Sequence, residues 1–438
     1  MARARFPRHV PRGLAGAAVL TAPGLAVRVT GAGLAPWLAA VVLGLAVVGA
    51  AFILAWAAEV VQLDVSQGLA LAALALVAVM PEYAVDFVFT WKAGGDPDRY
   101  APLALANMTG SNRLLIGVGW ALVVLLSAWK LRRTARRADH EGPVDATVRL
   151  DRSHAVEIGF LGAATLWSLT LPLHRTLTFV DLAVLVGIFA GYVVRIGRAP
   201  AAEPELAGPS LRLAELPTAT RRVVTALMFT YSAGVILYCA DAFAGALVAT
   251  GRELGVSTFL LVQWLAPLAS EAPELLVAGL FAWRLATGPA LATLISSKVN
   301  QWTLLVGTMP LVFAVSAGAA HGLPLDALQR QELFLTAAQS AFAVAVLTDR
   351  TITPREAGAL AALFFAQFVL GGVLPADLRY LQRLGIGALY LLLAAVLLVG
   401  RRRHLARLVT DAFRTPVAEL TGEAPDPGHA SGHGIMRP

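Results

Sequence analysis

Long apolar runs separated by short polar breaks repeat along most of this chain, and run length rather than a two- or three-residue stripe carries the signal. A basic segment with Arg3, Arg5, Arg8 and Arg12 precedes a weak run at residues 13–34. Pro23 and Arg28 interrupt that run, so it reads as a poor span or a signal-like segment. Clear runs follow at residues 36–62, 69–91, 107–129, 154–172 and 177–196, then at 223–250, 256–285, 289–317, 332–347, 356–374 and 381–400. A run of about 20 residues crosses a bilayer as a helix, so the chain is predicted to be an all-α polytopic membrane protein of about eleven or twelve spans.

The predicted organisation has a basic N-terminus with the weak first span at 1–35 and a first five-helix unit at 36–196. A linker at 197–222 leads to a second five-helix unit at 223–374, an extra span at 375–410 and a tail at 411–438. The tail is rich in Pro, Gly and His and is expected to be disordered.

Composition agrees: 57% of the 438 residues are hydrophobic, 14% are charged, and mean hydropathy is +0.69. The formal charge of +7 does not mark a nucleic-acid binder, because no basic stripe with interleaved aromatics lies outside the spans. The basic residues instead gather in the linkers, at Lys130, Arg132, Arg133, Arg136, Arg137, Arg149 and Arg152, and again at 197–222 and 401–403. The positive-inside rule places these loops and both termini in the cytoplasm. Lys92, Lys130 and Lys298 are the only lysines among 35 basic residues, a bias of GC-rich bacterial genomes that points to a bacterial cell membrane. The single cysteine, Cys239, excludes an internal disulfide.

Acids inside the apolar runs are the chemical anomaly. Glu82 follows Pro81 within a span, and Asp86 lies one turn on, on the same face. About 190 residues later the pattern returns. Pro273 and Glu274 match Pro81 and Glu82, Val277 matches Val85, Phe281 matches Phe89, and Trp283 matches Trp91. Further on, Ser297 matches Thr109, Asn300 matches Asn112, and Gly307 matches Gly119. Each proline withholds an N–H and crowds the carbonyl one turn back, so the carbonyls of Val77 and Ala269 are expected to face a ligand. Five spans in each copy require the copies to cross the membrane in opposite directions, the inverted arrangement of secondary transporters.

At these residues the chain resembles the calcium/cation antiporter superfamily, which includes the sodium/calcium exchangers. That family carries a Gly-Thr-Ser-x-Pro-Glu type motif in each repeat and an Asn-rich Gly-Ser-Asn type motif one helix later. Pro81-Glu82 and Pro273-Glu274 match the first motif, and Asn107, Gly110, Ser111 and Asn112 match the second. The family's Thr-Ser pair reads Ala78 and Val79 in the first copy and Ser270 and Glu271 in the second. The later polar ligand position aligns with Arg113 and Gln301, and Lys298 stands where the second motif would have Asn.

The resemblance implies a cation antiporter exchanging Ca2+, or Na+ or K+, for H+ or Na+ by alternating access, with no cofactor beyond the transported ions. Glu82 and Glu274 are expected to approach one another and to bind the cation or metal ion. Glu271, Asp86, Asn112, Asn300, Ser297, Thr109, Ser270, Val77 and Ala269 are expected to complete the site. Lys298 and Arg113 are expected to compensate charge by pairing with Glu271 or Asp86, standing as a fixed charge in place of one of the family's cations. A passive channel is the alternative transporter. An intramembrane enzyme finds no support, because the eight histidines fall in loops, tails or span ends and no His-Glu-x-x-His, Gly-x-Ser-x-Gly or P-loop motif occurs.

Overall fold

Prolines set where many of the apolar runs become helices. Pro36, Pro97 and Pro354 occupy first-turn positions, where a missing N–H leaves no bond unmade. The computed structural model describes residues 12–64, 80–137, 144–198, 206, 208–255 and 257–421.

The first half contains α1 (Arg12–Thr30), α2 (Pro36–Val61), α3 (Met80–Gly95), α4 (Pro97–Arg137), α5 (Ala155–Ser168) and α6 (Phe179–Ile196). A short α7 (Pro209–Ala214) follows within the expected linker. The second half contains α8 (Thr218–Leu254), α9 (Thr258–Trp283), α10 (Thr287–Ala317), α11 (Ala327–Val346), α12 (Pro354–Val373) and α13 (Ala376–Gly400). The amphipathic α14 (Arg402–Phe413) and α15 (Val417–Leu420) end the described chain. Among the described residues ten helices are long and apolar enough to span a membrane, and α9 makes an eleventh as a bent pair. The segment preceding α3, which includes Val77, lies outside the described residues.

Two short ribbons fix the relation between the halves. β1 (Val148–Arg149) leads into α5 and pairs with β4 (Thr351–Ile352), which leads into α12. β2 (Thr176–Leu177) leads into α6 and pairs with β3 (Leu323–Pro324), which leads into α11. Helix α5 therefore runs from the first ribbon to the second, and α11 from the second to the first. The two are antiparallel counterparts, as inverted repeats require.

Burial sorts the helices by place. Of the apolar windows of α4, α10 and α11, 61%, 61% and 78% of residues are buried, against 17%, 22% and 17% for α6, α12 and α13. The first group forms the centre and the second faces lipid, whose tails leave no reason for a polar outer stripe. Small residues let the central helices touch: a Cβ on Gly110 of α4 would lie 1.8 Å from the carbonyl oxygen of Gln263 on α9. Both central helices carry a π turn, Leu115–Trp120 in α4 and Gln301–Leu305 in α10.

On the face bearing the first ribbon, Asp64 accepts from Arg221 at 2.7 and 2.8 Å, and Glu59 takes a hydrogen bond from Ser210 of α7. Near the opposite face, Lys92 pairs with Asp241 at 2.7 Å. The tail expected to be disordered from residue 411 instead continues in place to Thr421. Asp411 accepts from Arg152 at 2.7 and 3.0 Å, Arg195 donates to the carbonyls of Asp411 and Ala412, and Phe413 meets Phe160 at 5.0 Å.

Two outcomes follow. Gly110→Ala forces α4 off α9 and is expected to cost about 1–3 kcal/mol, read as a lowered midpoint in detergent unfolding. Gly234→Ala, with nothing within 4 Å, is expected to be neutral. Arg152 holds the Asp411 carboxyl below its ordinary 3.8. The group is depressed when folded, so its contribution is complete above the unfolded value and is lost as pH falls through the folded one. Hydrogen exchange is expected to show residues 402–421 protected near neutral pH and released only as pH falls below the ordinary carboxylate range, or at neutral pH in Asp411→Asn.

Candidate cation-binding site

Four carboxylates come to the interior on two helices: Glu82 and Asp86 on α3, Glu271 and Glu274 on α9. Helix α9 bends by 58° where Thr258–Ala272 meets Glu274–Trp283, so Pro273 breaks the helix between the two glutamates. Helices α4 and α10 cross these acids and supply the amides and hydroxyls. Glu82, Asp86, Ser111, Glu271, Lys298 and Gln301 are each at most 2% exposed.

Ser111 is the junction. Its hydroxyl contacts Oε1 of Glu82 and Oε1 of Glu271, joining an acid from each half. Gln301 donates to the same Glu271 oxygen at 3.2 Å. The acid that shares a ligand with Glu82 is thus Glu271 and not, as expected, Glu274. Glu274 lies one turn further, past the bend, where it is half-buried and accepts from Ser297 at 2.6 Å.

Asp86 accepts from Asn107 at 2.8 Å, and Tyr83 donates to the side-chain oxygen of Asn300 at 2.8 Å. Oδ2 of Asp86 and Oε2 of Glu271 accept no hydrogen bond from any described residue, although both are buried. Such oxygens hold lone pairs that suit a cation or a proton. Among the described residues no three acid, imidazole or thiol side chains converge as a resident metal site would. The groups that converge here are mixed carboxylate, amide and hydroxyl.

Other expected residues are placed differently. The hydroxyl of Thr109 bonds the carbonyl of Leu105 at 2.7 Å, and that of Ser270 bonds Ala266 and Pro267 at 3.3 and 3.2 Å. Both are turned into their own helices rather than toward the acids. Ala269 is half-buried immediately before the bend, and Val77 lies outside the described residues.

The two buried cations also find other partners than expected. Arg113 pairs with Glu332 of α11 at 2.6 Å, and Arg383 of α13 holds the second oxygen of that carboxylate at 2.7 Å. Gln263 donates to Glu332 at 3.0 Å, and Arg113 stacks 5.1 Å from the Trp264 ring. Arg113 is thus consumed by a separate network that ties α4 to α9, α11 and α13. Lys298 donates to Asn112 instead of to Asp86 or Glu271, at 2.6 Å to the side-chain oxygen and 3.2 Å to the carbonyl.

Sequence reasoning placed Ser111 only within the second motif, and named Tyr83, Gln263, Glu332 and Arg383 not at all as site residues. The one available signal was that Glu332 and Arg383 each open an apolar run as a charge within it.

Relatives agree with this architecture. Native YfkE superposes with a TM-score of 0.57 at 13% identity, over 85% of this chain and 99% of that one, a likeness of fold alone. The crystal structure of the H+/Ca2+ exchanger CAX superposes with a TM-score of 0.83 at 40% identity, over 93% of this chain and 98% of that one. No curated protein matches the chain. Residues 35–197 and 224–373 match the family described as sodium/calcium exchanger protein. With both five-helix units covered by that match, the chain is a member of the sodium/calcium exchanger family of membrane cation antiporters.

Proposed function

We propose that this antiporter exchanges Ca2+ for protons by alternating access at Glu82, Asp86, Glu271 and Glu274. The observation that carries the reading is the Ser111 junction. A hydroxyl owns one proton, so serving both Glu82 and Glu271 calls for a further proton shared with one of the two acids. That need for a proton supports protons as one of the exchanged ions.

Ca2+ favours carboxylate and amide oxygens, and a site containing these acids attracts it once they ionise. Binding the ion expels the shared proton, and protonation on the other side of the membrane expels the ion. Protons and Ca2+ therefore compete for the same oxygens, and neither half-reaction leaves several bare charges in lipid. The relative with 40% identity over 93% of this chain is described as an H+/Ca2+ exchanger, which supports both cations. Asn107, Ser297, Asn300, Tyr83 and Gln301 position the acids, and Ala269 offers a carbonyl before the bend in α9.

The chain sits in a bacterial cell membrane with the face bearing the first ribbon and α14 toward the cytoplasm, where its arginines concentrate. The bend at Pro273 provides a hinge between the half of α9 carrying Glu271 and the half carrying Glu274.

In proteoliposomes, Glu82→Gln, Glu271→Gln and Glu274→Gln are each expected to lower Ca2+-driven proton flux by more than about 100-fold. Undiminished flux in Glu82→Gln combined with Glu271→Gln would end the proposal. Ser111→Ala is expected to reduce flux by about tenfold or more while the protein stays folded, because the shared proton loses its bridge.

A further inference from the structure

Lys298 is wholly buried, and among the described residues the hydrogen bonds of its amino group go to neutral oxygens rather than to the acids of the site. Nζ lies 2.6 Å from Oδ1 and 3.2 Å from the carbonyl oxygen of Asn112, with the Trp302 ring 4.3 Å away on another side. Two neutral oxygens and an aromatic face are a cation's environment, supplied here to an ammonium.

The partner is informative because Asn112 and Asn300 occupy equivalent places in the two repeats. Both asparagines immediately precede or approach a π turn, Leu115–Trp120 and Gln301–Leu305, and a π turn disturbs the ladder of the turn before it and loosens its carbonyls. On the second-repeat side the Asn300 oxygen accepts from the neutral Tyr83 hydroxyl. On the first-repeat side the corresponding oxygens are taken by a charge. The position in the first repeat equivalent to Lys298 is Gly110, where α4 lies too close to α9 for any side chain. The twofold plan therefore carries an ammonium on the first-repeat side and a neutral hydroxyl on the other.

Resting on the antiport reading above, we propose that the Lys298 ammonium is a tethered cation occupying the Asn112 oxygens, so that the site accepts one mobile Ca2+ and has no place for Na+. The acids Glu82, Asp86, Glu271 and Glu274 then share one tethered ammonium. Removing that charge leaves two carbonyl-type oxygens beside acids, which suit a small monovalent ion. Lys298 is thus a specificity-determining residue that keeps the exchanger coupled to protons.

The test uses the purified full chain, with Ca2+ and Na+ as probes, reading Ca2+ affinity by titration and ligand stabilisation by thermal unfolding. Wild type is expected to bind Ca2+ with an affinity that Na+ does not change. In Lys298→Met, Na+ is expected to stabilise the protein saturably and to shift apparent Ca2+ affinity by about tenfold or more. Lys298→Arg is expected to behave as wild type. In Lys298→Ala, methylammonium but not tetramethylammonium is expected to suppress the Na+ effect, because only the smaller amine donates hydrogen bonds to Asn112.

Na+ competing equally in wild type and Lys298→Met overturns the inference, and so does a folded Lys298→Met that is blind to Na+. If Lys298→Met does not fold, the wild-type Na+ titration and Lys298→Arg still decide it, since competition in either one contradicts the proposal. A wild type that binds no Ca2+ would contradict the antiport reading instead, so the two failures are distinct.

Discussion

Carboxylates in the middle of a lipid layer dominate the energetics of this protein. Each ionised acid at the centre of a spanning helix costs about 3 kcal/mol on insertion scales, and four of them would consume most of the 5–15 kcal/mol that separates a folded domain from an unfolded one. Each has at least one oxygen held by a hydroxyl or an amide. Ser111 bridges Glu82 and Glu271, Asn107 bonds Asp86, and Ser297 bonds Glu274. In the proposed exchange the remaining need for neutralisation draws in Ca2+ and protons in turn.

The scaffold answers the complementary demand that the acids be brought together from opposite ends of the chain. Gly110 lets α4 touch α9, and the Arg113, Glu332 and Arg383 network ties that pair to α11 and α13. A buried charge cluster of this sort is weak evidence for stability, because desolvation offsets much of its attraction. Its effect here is to fix register, since Glu332 has each oxygen held by a different arginine. At the face carrying the first ribbon, α14 joins the last span to α5 and α6 through Arg152 and Arg195.

Much of this was legible in the sequence, for identifiable reasons. Lipid makes a span a matter of length and apolarity, so the helices and the inverted repeat could be read before any contact was known. The break at Pro273 followed from a missing N–H. Which acid meets Glu82 did not follow, because Glu271 and Glu274 share a face on a straight helix and are separated only by the 58° bend. The partners of Arg113 and Lys298 were misassigned for a related reason. Both cations chose groups on helices distant in sequence, Glu332 and Asn112, over the nearer acids. The two-residue ribbons and the docking of α14 carry no periodicity and could not be seen in advance.

The central claim is that one oxygen cluster serves Ca2+ and protons alternately. The most direct measurement records both ions at once in sealed vesicles containing the wild-type chain, with a Ca2+ indicator inside and a pH indicator inside. An imposed proton gradient is expected to drive Ca2+ against its own gradient, and an imposed Ca2+ gradient is expected to drive protons uphill in the opposite direction. Ca2+ that only runs down its own gradient, at a rate indifferent to pH, would contradict the account.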